Sequence, residues 1–388
     1  MSETHIHIIS FDIPYPPNYG GVIDVYYKLK ALHDAGVKIH LHCFQYHRDS
    51  SPNLNSLCEE VLYYPRKTGI FSAITLKPYI VQSRRCKKLL ERLQQDDYPI
   101  LFEGLHTCYY LKNKKLRNRF KIYRESNIEH HYYFHLSRAE KNIFKRIFFF
   151  ISSLKLKLFQ TNLAFASLML TVSEEDTHYL AHRFPAVRVK YLPSFHYNEL
   201  VQSPTGKGSY VLYQGNLSVG ENYKAAGFLL REVISGLDIR FVIAGMNPPE
   251  HLKQLIRKYP NAEVIANPDD ETLFRLIRDA QVNIMVTFQP TGLKLKLLNA
   301  LYNGRFCLVN PEMIAGTEIG ELCETASNSE GLRRKLEDLM KKDFTPEMIR
   351  HRQQVLDKWH SNKKNCKTLL DFLSMSGKVS ATYSSDPE

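Results

Sequence analysis

HIHIISFDIPYPPNYGGVIDVYYKLKALHDAGVKIHLHCF, residues 5–44, is the stretch that decides the fold. Residues 5–11 read as a strand. Over 20–36 the apolar residues Val22, Val25, Tyr26, Leu29 and Leu32 recur at helical spacing, and the run stops at Gly36. Residues 37–44 return to a strand pattern. Strand, helix and strand packed into so short a span predict a parallel βαβ unit.

The same alternation continues in both directions along the chain. Residues 98–104, 120–126 and 167–173 add strands to the first half. The Pro-, Gly- and Ser-bearing stretch 191–209 then reads as a linker. Beyond it come the strand 210–215 and the helix 221–236. Further strands follow at 239–245, 262–267, 282–288 and 305–310. The helix 269–280 opens on Asp269, Asp270 and Glu271, acids that favour a helix N-terminus. The reading is an α/β protein of two doubly wound Rossmann-like domains facing a cleft. It places an N-terminal domain at 1–195, a linker at 196–209 and a C-terminal domain at 210–345. Helices at 346–375 are expected to pack back on the N-terminal domain, ahead of a disordered tail at 376–388. Neither half carries Gly-x-Gly-x-x-Gly, which argues against a simple dinucleotide oxidoreductase. In open α/β sheets, ligands bind beyond the carboxyl ends of the strands.

Composition narrows the setting. Of 388 residues, 44% are hydrophobic and 24% charged, a globular balance. Seven cysteines, none paired at Cys-x2-Cys spacing, fit reduced thiols and no zinc site. No apolar run reaches the roughly 20 residues of a bilayer span, and the start of the chain has no apolar signal core. The expected location is cytoplasmic, with peripheral contact at the inner face of the cell membrane left open. Residues 1–195 hold 28 Lys and Arg against 17 Asp and Glu; residues 196–388 hold 24 against 23. The basic surplus of the first half suits nucleic acid, an anionic bilayer or an anionic acceptor. No nucleic-acid module is visible, so nucleic acid is not expected as a partner.

Two copies of LKLKL, at 154–158 and 293–297, alternate like half-buried strands. The second lies between two strands that need a crossover, and Leu297, Ala300 and Leu301 share one side of a helical wheel. It therefore reads as a helix, with Thr291 as N-cap and Gly304 as stop. The turn 289–292 would then present backbone N–H groups at a helix N-terminus, with Lys294 in the first turn, an arrangement that binds phosphate. Asn299 lies where a ribose hydroxyl could be bonded. The alternative is a plain cap with solvated lysines.

In the first half, Gly20 and Gly21 open a helix just past the first strand, where backbone amides could approach a ligand. Residues 124–133 gather Arg124, Glu125, Glu129, His130 and His131 past another strand. Histidine suits proton abstraction near neutral pH, and Lys or Arg suits a leaving diphosphate. His130 is the first choice as base, and Glu103 with His106 forms a second pair at the cleft edge. The competing reading makes these histidines structural.

PYPPNYGG, LFEGLH, YRESNIEHHYY, TVSEED, YQGNLSVGEN, FVIAG and TGLKLKLLNALYNG appear in the order seen in bacterial glycosyltransferases of GT-B fold. The chain resembles glycosyltransferase family 4 and its relatives. The resemblance implies a nucleotide-sugar donor, UDP- or GDP-linked, in the C-terminal domain, and a saccharide or lipid-linked acceptor in the N-terminal one. Gly215 and Asn216 match the loop near the donor's phosphates. Thr291 and Asn299 match the two ends of the family's Glu-x7-Glu motif, whose acids touch the sugar and the ribose. Both acids are missing here. Glu221 and Asn222 stand where relatives carry basic residues, which leaves Lys294 and Lys296 as the nearest replacements. Gly292 belongs to the same donor-side turn. Relatives often carry His where Ser126 stands. No metal is expected, because helix amides and lysines can neutralise a diphosphate and no Asp-x-Asp occurs. A nucleotide-sugar epimerase and a non-catalytic binding relative are the alternatives.

The first LKLKL closes an amphipathic run, 142–159, with Phe144, Ile147, Phe148, Ile151, Leu154 and Leu158 at helical spacing and lysines at its margins. Packing on its own sheet is the more economical reading. A helix lying on an anionic bilayer is the other.

Overall fold

The computed structural model describes residues 3–69, 72, 75–140, 142–288 and 295–382. They divide into two compact units, Met1–Tyr197 with Asn362–Glu388, and Asn198–Ser361.

The first unit is a seven-stranded parallel sheet in the order β3-β2-β1-β4-β5-β6-β7. The strands are β1 His5–Ser10, β2 Lys38–Gln45, β3 Glu60–Pro65, β4 Ile100–Glu103, β5 Lys121–Arg124, β6 Leu168–Thr171 and β7 Arg188–Tyr191. The helices used below are α1 Gly20–Asp34, α2 Glu129–Ala139, α3 Ile143–Phe159 and α4 Glu174–Arg183. β1 and β2 are buried almost throughout because helices cover both faces of a parallel sheet. Ile6 and Ile8 face Val25, Leu29 and Leu32 of α1, whereas Ile9 faces the opposite layer with Phe102 and Leu163. Each such aliphatic residue, fully buried, contributes about 1.5–3 kcal/mol.

The sheet also encloses charge. Lys28 Nζ lies 3.0 Å from Asp24 Oδ2 and 2.6 Å from Glu103 Oε1, and Arg124 donates to both oxygens of Asp24 at 3.1 and 3.2 Å. Arg124 also donates to the carbonyls of Thr171, Leu192 and Pro193. This closed quartet ties α1, β4, β5 and the chain leaving β7 together. Burial opposes the charge on Asp24, yet Arg124 and Lys28 outweigh it and hold the carboxyl well below its usual range. A second buried polar row crosses β1 and β2. There His7 Nδ1 sits 2.9 Å from His42 Nε2, and His7 Nε2 sits 2.8 Å from Asp96. Burial pushes His7 down to about 4, against the pull of Asp96.

The second unit repeats the design with six parallel strands in the order β10-β9-β8-β11-β12-β13. These are β8 Tyr210–Gln214, β9 Arg240–Gly245, β10 Ala262–Ala266, β11 Val282–Met285, β12 Phe306–Val309 and β13 Glu324–Thr325. Helix α5, Gly220–Phe228, follows β8, and α6, Asp270–Asp279, precedes β11 with Asp269 capping the N–H of Thr272. α7, Leu295–Asn303, is the second LKLKL, and it buries Leu297, Ala300 and Leu301 as its periodicity requires.

The C-terminal segment is shared between the units. α8, Pro346–Trp359, belongs to the second, because buried Arg352 donates to the carbonyls of Leu301, Gly304 and Arg305 and to Ser203 Oγ. α8 thus packs within the second unit, whereas the whole of 346–375 was expected to pack on the N-terminal domain. Only α9, Asn362–Thr382, rejoins the first unit, placing Leu369 and Leu373 in the core beside α1. The backbone of α9 stays helical as far as Thr382, into the stretch expected to be an irregular tail, and 383–388 lie outside the described residues. Among the described residues no helix is long and apolar enough to cross a membrane.

Candidate functional site

In each sheet the strand order reverses once, between β1 and β4 in the first unit and between β8 and β11 in the second. Crevices form at such switch points, beyond the carboxyl ends of the strands.

In the second unit, the chain leaves β8 through Gly215, whose N–H donates to the Ala244 carbonyl at 3.1 Å. A Cβ on Gly245 would stand 1.8 Å from the Gly215 oxygen, so glycine there lets two strand ends touch. Asn216 folds the next turn: its Oδ1 accepts from Ser218 N and Ser218 Oγ, and its carbonyl accepts from Asn222 Nδ2 at 2.9 Å. Asn222 in turn accepts from Tyr213 OH at its backbone oxygen and from Lys296 Nζ at its side-chain oxygen, at 3.0 and 3.4 Å. Gln214 Nε2 donates to the Lys296 carbonyl at 3.3 Å. Burial lowers the pKa of Lys296, with Glu221 pulling the other way. The Glu221 carboxylate accepts from Thr287 Oγ1 and from the Phe288 N–H, just past β11.

The donor-side residues read from the sequence therefore divide. Asn216, Asn222 and Lys296 come together in one hydrogen-bonded set, and Gly215 lies against the Asn222 side chain. Asn299 does not join it; its Oδ1 and carbonyl both accept from Asn303 Nδ2, which also donates to Asn198. Thr291, Gly292 and Lys294 lie outside the described residues. Glu221 and Thr287 were not singled out as site residues. They sit 66 positions apart, and nothing in their spacing signals that a carboxylate and a hydroxyl will meet.

In the first unit, α1 begins at Gly20 with no side chain capping it. A Cβ on Gly21 would lie 2.7 Å from the tip of the Phe11 ring, so a larger residue there would displace that ring. Phe11 in turn stacks at 5.5 Å on His106, which follows β4 after Gly104, a residue at φ 69°. His106 Nδ1 is buried without a hydrogen-bond partner, 3.7 Å from Glu129 Oε1. That separation exceeds a direct hydrogen bond. Burial, with Arg84 and Arg66 adding to it, pushes His106 well below its ordinary value, so the ring is neutral. Glu129, only 5% exposed, is pushed up to about 7 by burial, with Arg84 restraining the rise. Arg84 itself is fixed by the Phe11 and Ile80 carbonyls. A carboxyl poised near neutrality beside a neutral imidazole is equipped to take a proton from a bound hydroxyl.

The remaining acceptor-side residues are placed differently from the sequence expectation. Glu103 is not at a cleft edge: it is 2% exposed and bonded to Lys28. His130 faces away from Glu129, with its Nε2 3.4 Å from Tyr179 OH and its carbonyl accepting from Ser153 Oγ. Burial, His131 and two further cations push it down to about 4. His131 is exposed on the outer side of the same turn. Glu125 lies buried beneath, accepting from Tyr123 OH at 2.5 Å and from the Asn127 N–H, and burial raises it well above the carboxylate range. Arg84 was missed because only the fold brings position 84 to 129. Among the described residues no group of three or more His, Cys, Asp or Glu is arranged to hold a metal ion.

Comparison with solved structures places this architecture. Sucrose-phosphate synthase from Thermosynechococcus elongatus superposes with a TM-score of 0.68 at 13% identity, covering 96% of this chain and 99% of that one. HepE of Anabaena, solved with UDP and glucose, gives 0.65 at 12% identity, covering 96% and 100%. The chain has the GT-B fold. A glycosyltransferase from Rickettsia africae shares that GT-B architecture at a TM-score of 0.62 and 12% identity, over 97% of this chain and 100% of that one. In sequence, the chain is 28% identical over 320 residues to an uncharacterised 44.6 kDa protein of the Klebsiella pneumoniae cps region, covering 78% of this chain and 81% of that one. No protein-family signature matches it.

Proposed function

We propose that the protein transfers a sugar from a nucleotide-linked donor to an acceptor hydroxyl. The observation that carries this reading is the Lys296–Asn222–Asn216 set at the β8/β11 switch point of a GT-B fold. HepE, which shares the fold, was solved with UDP and glucose. The second unit would hold the donor, with Lys296 facing the diphosphate. The first unit would hold the acceptor. Its hydroxyl oxygen forms a bond to the anomeric carbon, the carbon–oxygen bond to phosphate breaks, and the electron pair leaves with the nucleoside diphosphate. The hydroxyl proton passes to the Glu129 carboxylate. With Lys296 at the diphosphate, the proposed reaction calls on no metal ion for charge neutralisation. An acceptor from polysaccharide assembly is supported by the relative from a cps region.

A second reading has one observation in its favour. Asn299, matched to a family position that holds the ribose, is bonded to Asn303 instead, as suits a relative that binds saccharide without turning it over.

Thermal-shift measurements with UDP, GDP and their sugars test the donor site. A ligand at 100 times its dissociation constant stabilises by about 2.7 kcal/mol, several degrees in melting temperature. Lys296→Ala should lose most of that shift. No shift with any nucleotide, or an equal shift in the variant, refutes the assignment. Binding with no release of nucleoside diphosphate on any acceptor favours the second reading.

A further inference from the structure

α2 and α3 form a helical hairpin in the first unit, and α3 is packed the wrong way round for a protein that meets only water. Its buried face contains Ser152, Ser153, Leu156 and Phe159. Ser153 Oγ donates to the His130 carbonyl, so small polar side chains seat the helix. Its outer face carries Phe144, Ile147, Phe148, Ile151, Leu154 and Leu158, all exposed, with Phe144 at 81% and Leu158 at 73%. At about 100° per residue these six fall within one arc of the helix. A soluble helix shows the reverse, charged outside and apolar within. The economical reading from the sequence, a Phe-rich face laid on its own sheet, is therefore not what the structure shows.

Charge identifies what this face meets. Arg146 and Lys157 flank one side of the arc and Lys145 the other, Lys155 lies within it with its ammonium donating to the Thr75 carbonyl, and no Asp or Glu occurs anywhere in 141–173. An apolar band bordered on both sides by cations matches the acyl boundary and headgroups of an anionic bilayer. A second copy of the chain would bring one basic border against another. A length of 17 residues, about 26 Å, interrupted by lysines, lies along a membrane surface and does not cross it.

We propose that the outer face of α3 docks the protein on an anionic lipid surface, with the helix in the plane of the interface. Co-sedimentation of the full chain with vesicles of phosphatidylcholine plus phosphatidylglycerol, and of phosphatidylcholine alone, tests this without any sugar or nucleotide. Binding is expected only to the anionic vesicles and should weaken as salt rises. Because a surface cation is worth about fivefold in binding, Arg146→Ala with Lys157→Ala should reduce it roughly twentyfold or more. Phe144→Asp with Leu158→Asp should abolish it while leaving the melting temperature unchanged, since both side chains are exposed. No sedimentation at low salt overturns the proposal, and so does equal binding to neutral vesicles. A wild-type dimer in light scattering that the aspartate pair splits would assign the face to self-association instead. The glycosyl-transfer reading is tested by nucleotide binding, so each can fail alone.

Discussion

Replacing Glu129 with glutamine keeps the shape of the side chain and removes its charge. In the folded chain this carboxyl titrates at about 7, against an ordinary value of 4.5. Between those two values the native state holds a proton that the unfolded state has released. Stability therefore falls as pH rises through that window, and the loss is complete above 7. The size follows from the same two values: the raised titration of Glu129 destabilises the fold by about 3 kcal/mol at pH 8 and by about 1 kcal/mol at pH 5. Glu129→Gln should therefore be more stable than the wild type, by about 3 kcal/mol at pH 8, with the gain shrinking on acidification. Urea unfolding at both pH values, followed by circular dichroism, measures this. Trp359, the single tryptophan, lies in the second unit, so its fluorescence supplies an internal control that should not move. A variant less stable than the wild type at pH 8, or one with the same gain at both pH values, refutes the reasoning. The same substitution should slow transfer by about 10²–10⁴, the usual contribution of a general base. A residue that weakens the fold yet is needed for turnover is one placed for function.

Other outcomes follow from the buried charges. Asp24→Ala leaves Lys28 and Arg124 without their shared carboxylate, and removing one member of such a network costs about 3–5 kcal/mol; a urea midpoint like the wild type's would contradict the quartet. His7 is held at about 4, below its ordinary 6.5, so the unfolded state binds more protons between those values and stability falls on acidification. His7 alone removes about 2 kcal/mol on going from pH 7 to pH 5, and His7→Gln should flatten that acid loss in the urea midpoints.

Elements were legible where periodicity and connection length agreed. LKLKL at 293–297 alternates like a strand, but it stands between two parallel strands that only a helix can join, and α7 is that helix. The β8/β11 switch point follows from the same logic, since alternating β and α in a doubly wound sheet leaves few other orders. The site was less legible, for geometric reasons. Glu129 and His130 are adjacent on a helix and so point about 100° apart. Choosing the histidine by its ordinary pKa ignored which of the two faces the strand ends. Glu103 looked like a rim residue because it precedes Gly104, yet its partner Lys28 is 75 positions away. The pattern of α3 gives its apolar arc but is silent on whether the arc is covered, because that depends on which residues α2 offers to it.

The donor side shows how far a site can change its charges and keep its logic. Glu221 stands where relatives place a base, which by itself would repel a diphosphate. Its Oε1 oxygen, however, accepts from Thr287 Oγ1 and the Phe288 N–H, so this acid is held just past β11 by hydrogen bonds. Lys296 reaches the same crevice from α7 and bonds Asn222, the neighbour of Glu221. In the proposed donor site the cation thus comes from α7, while Glu221 bridges α5 to the chain just past β11. In the proposed donor site Lys296 is, among the described residues, the cation that bonds into the set, so the nucleotide response should depend on it. That dependence is why a single alanine at 296 should remove most of the nucleotide response, where the loss of one cation from a pair would only weaken it.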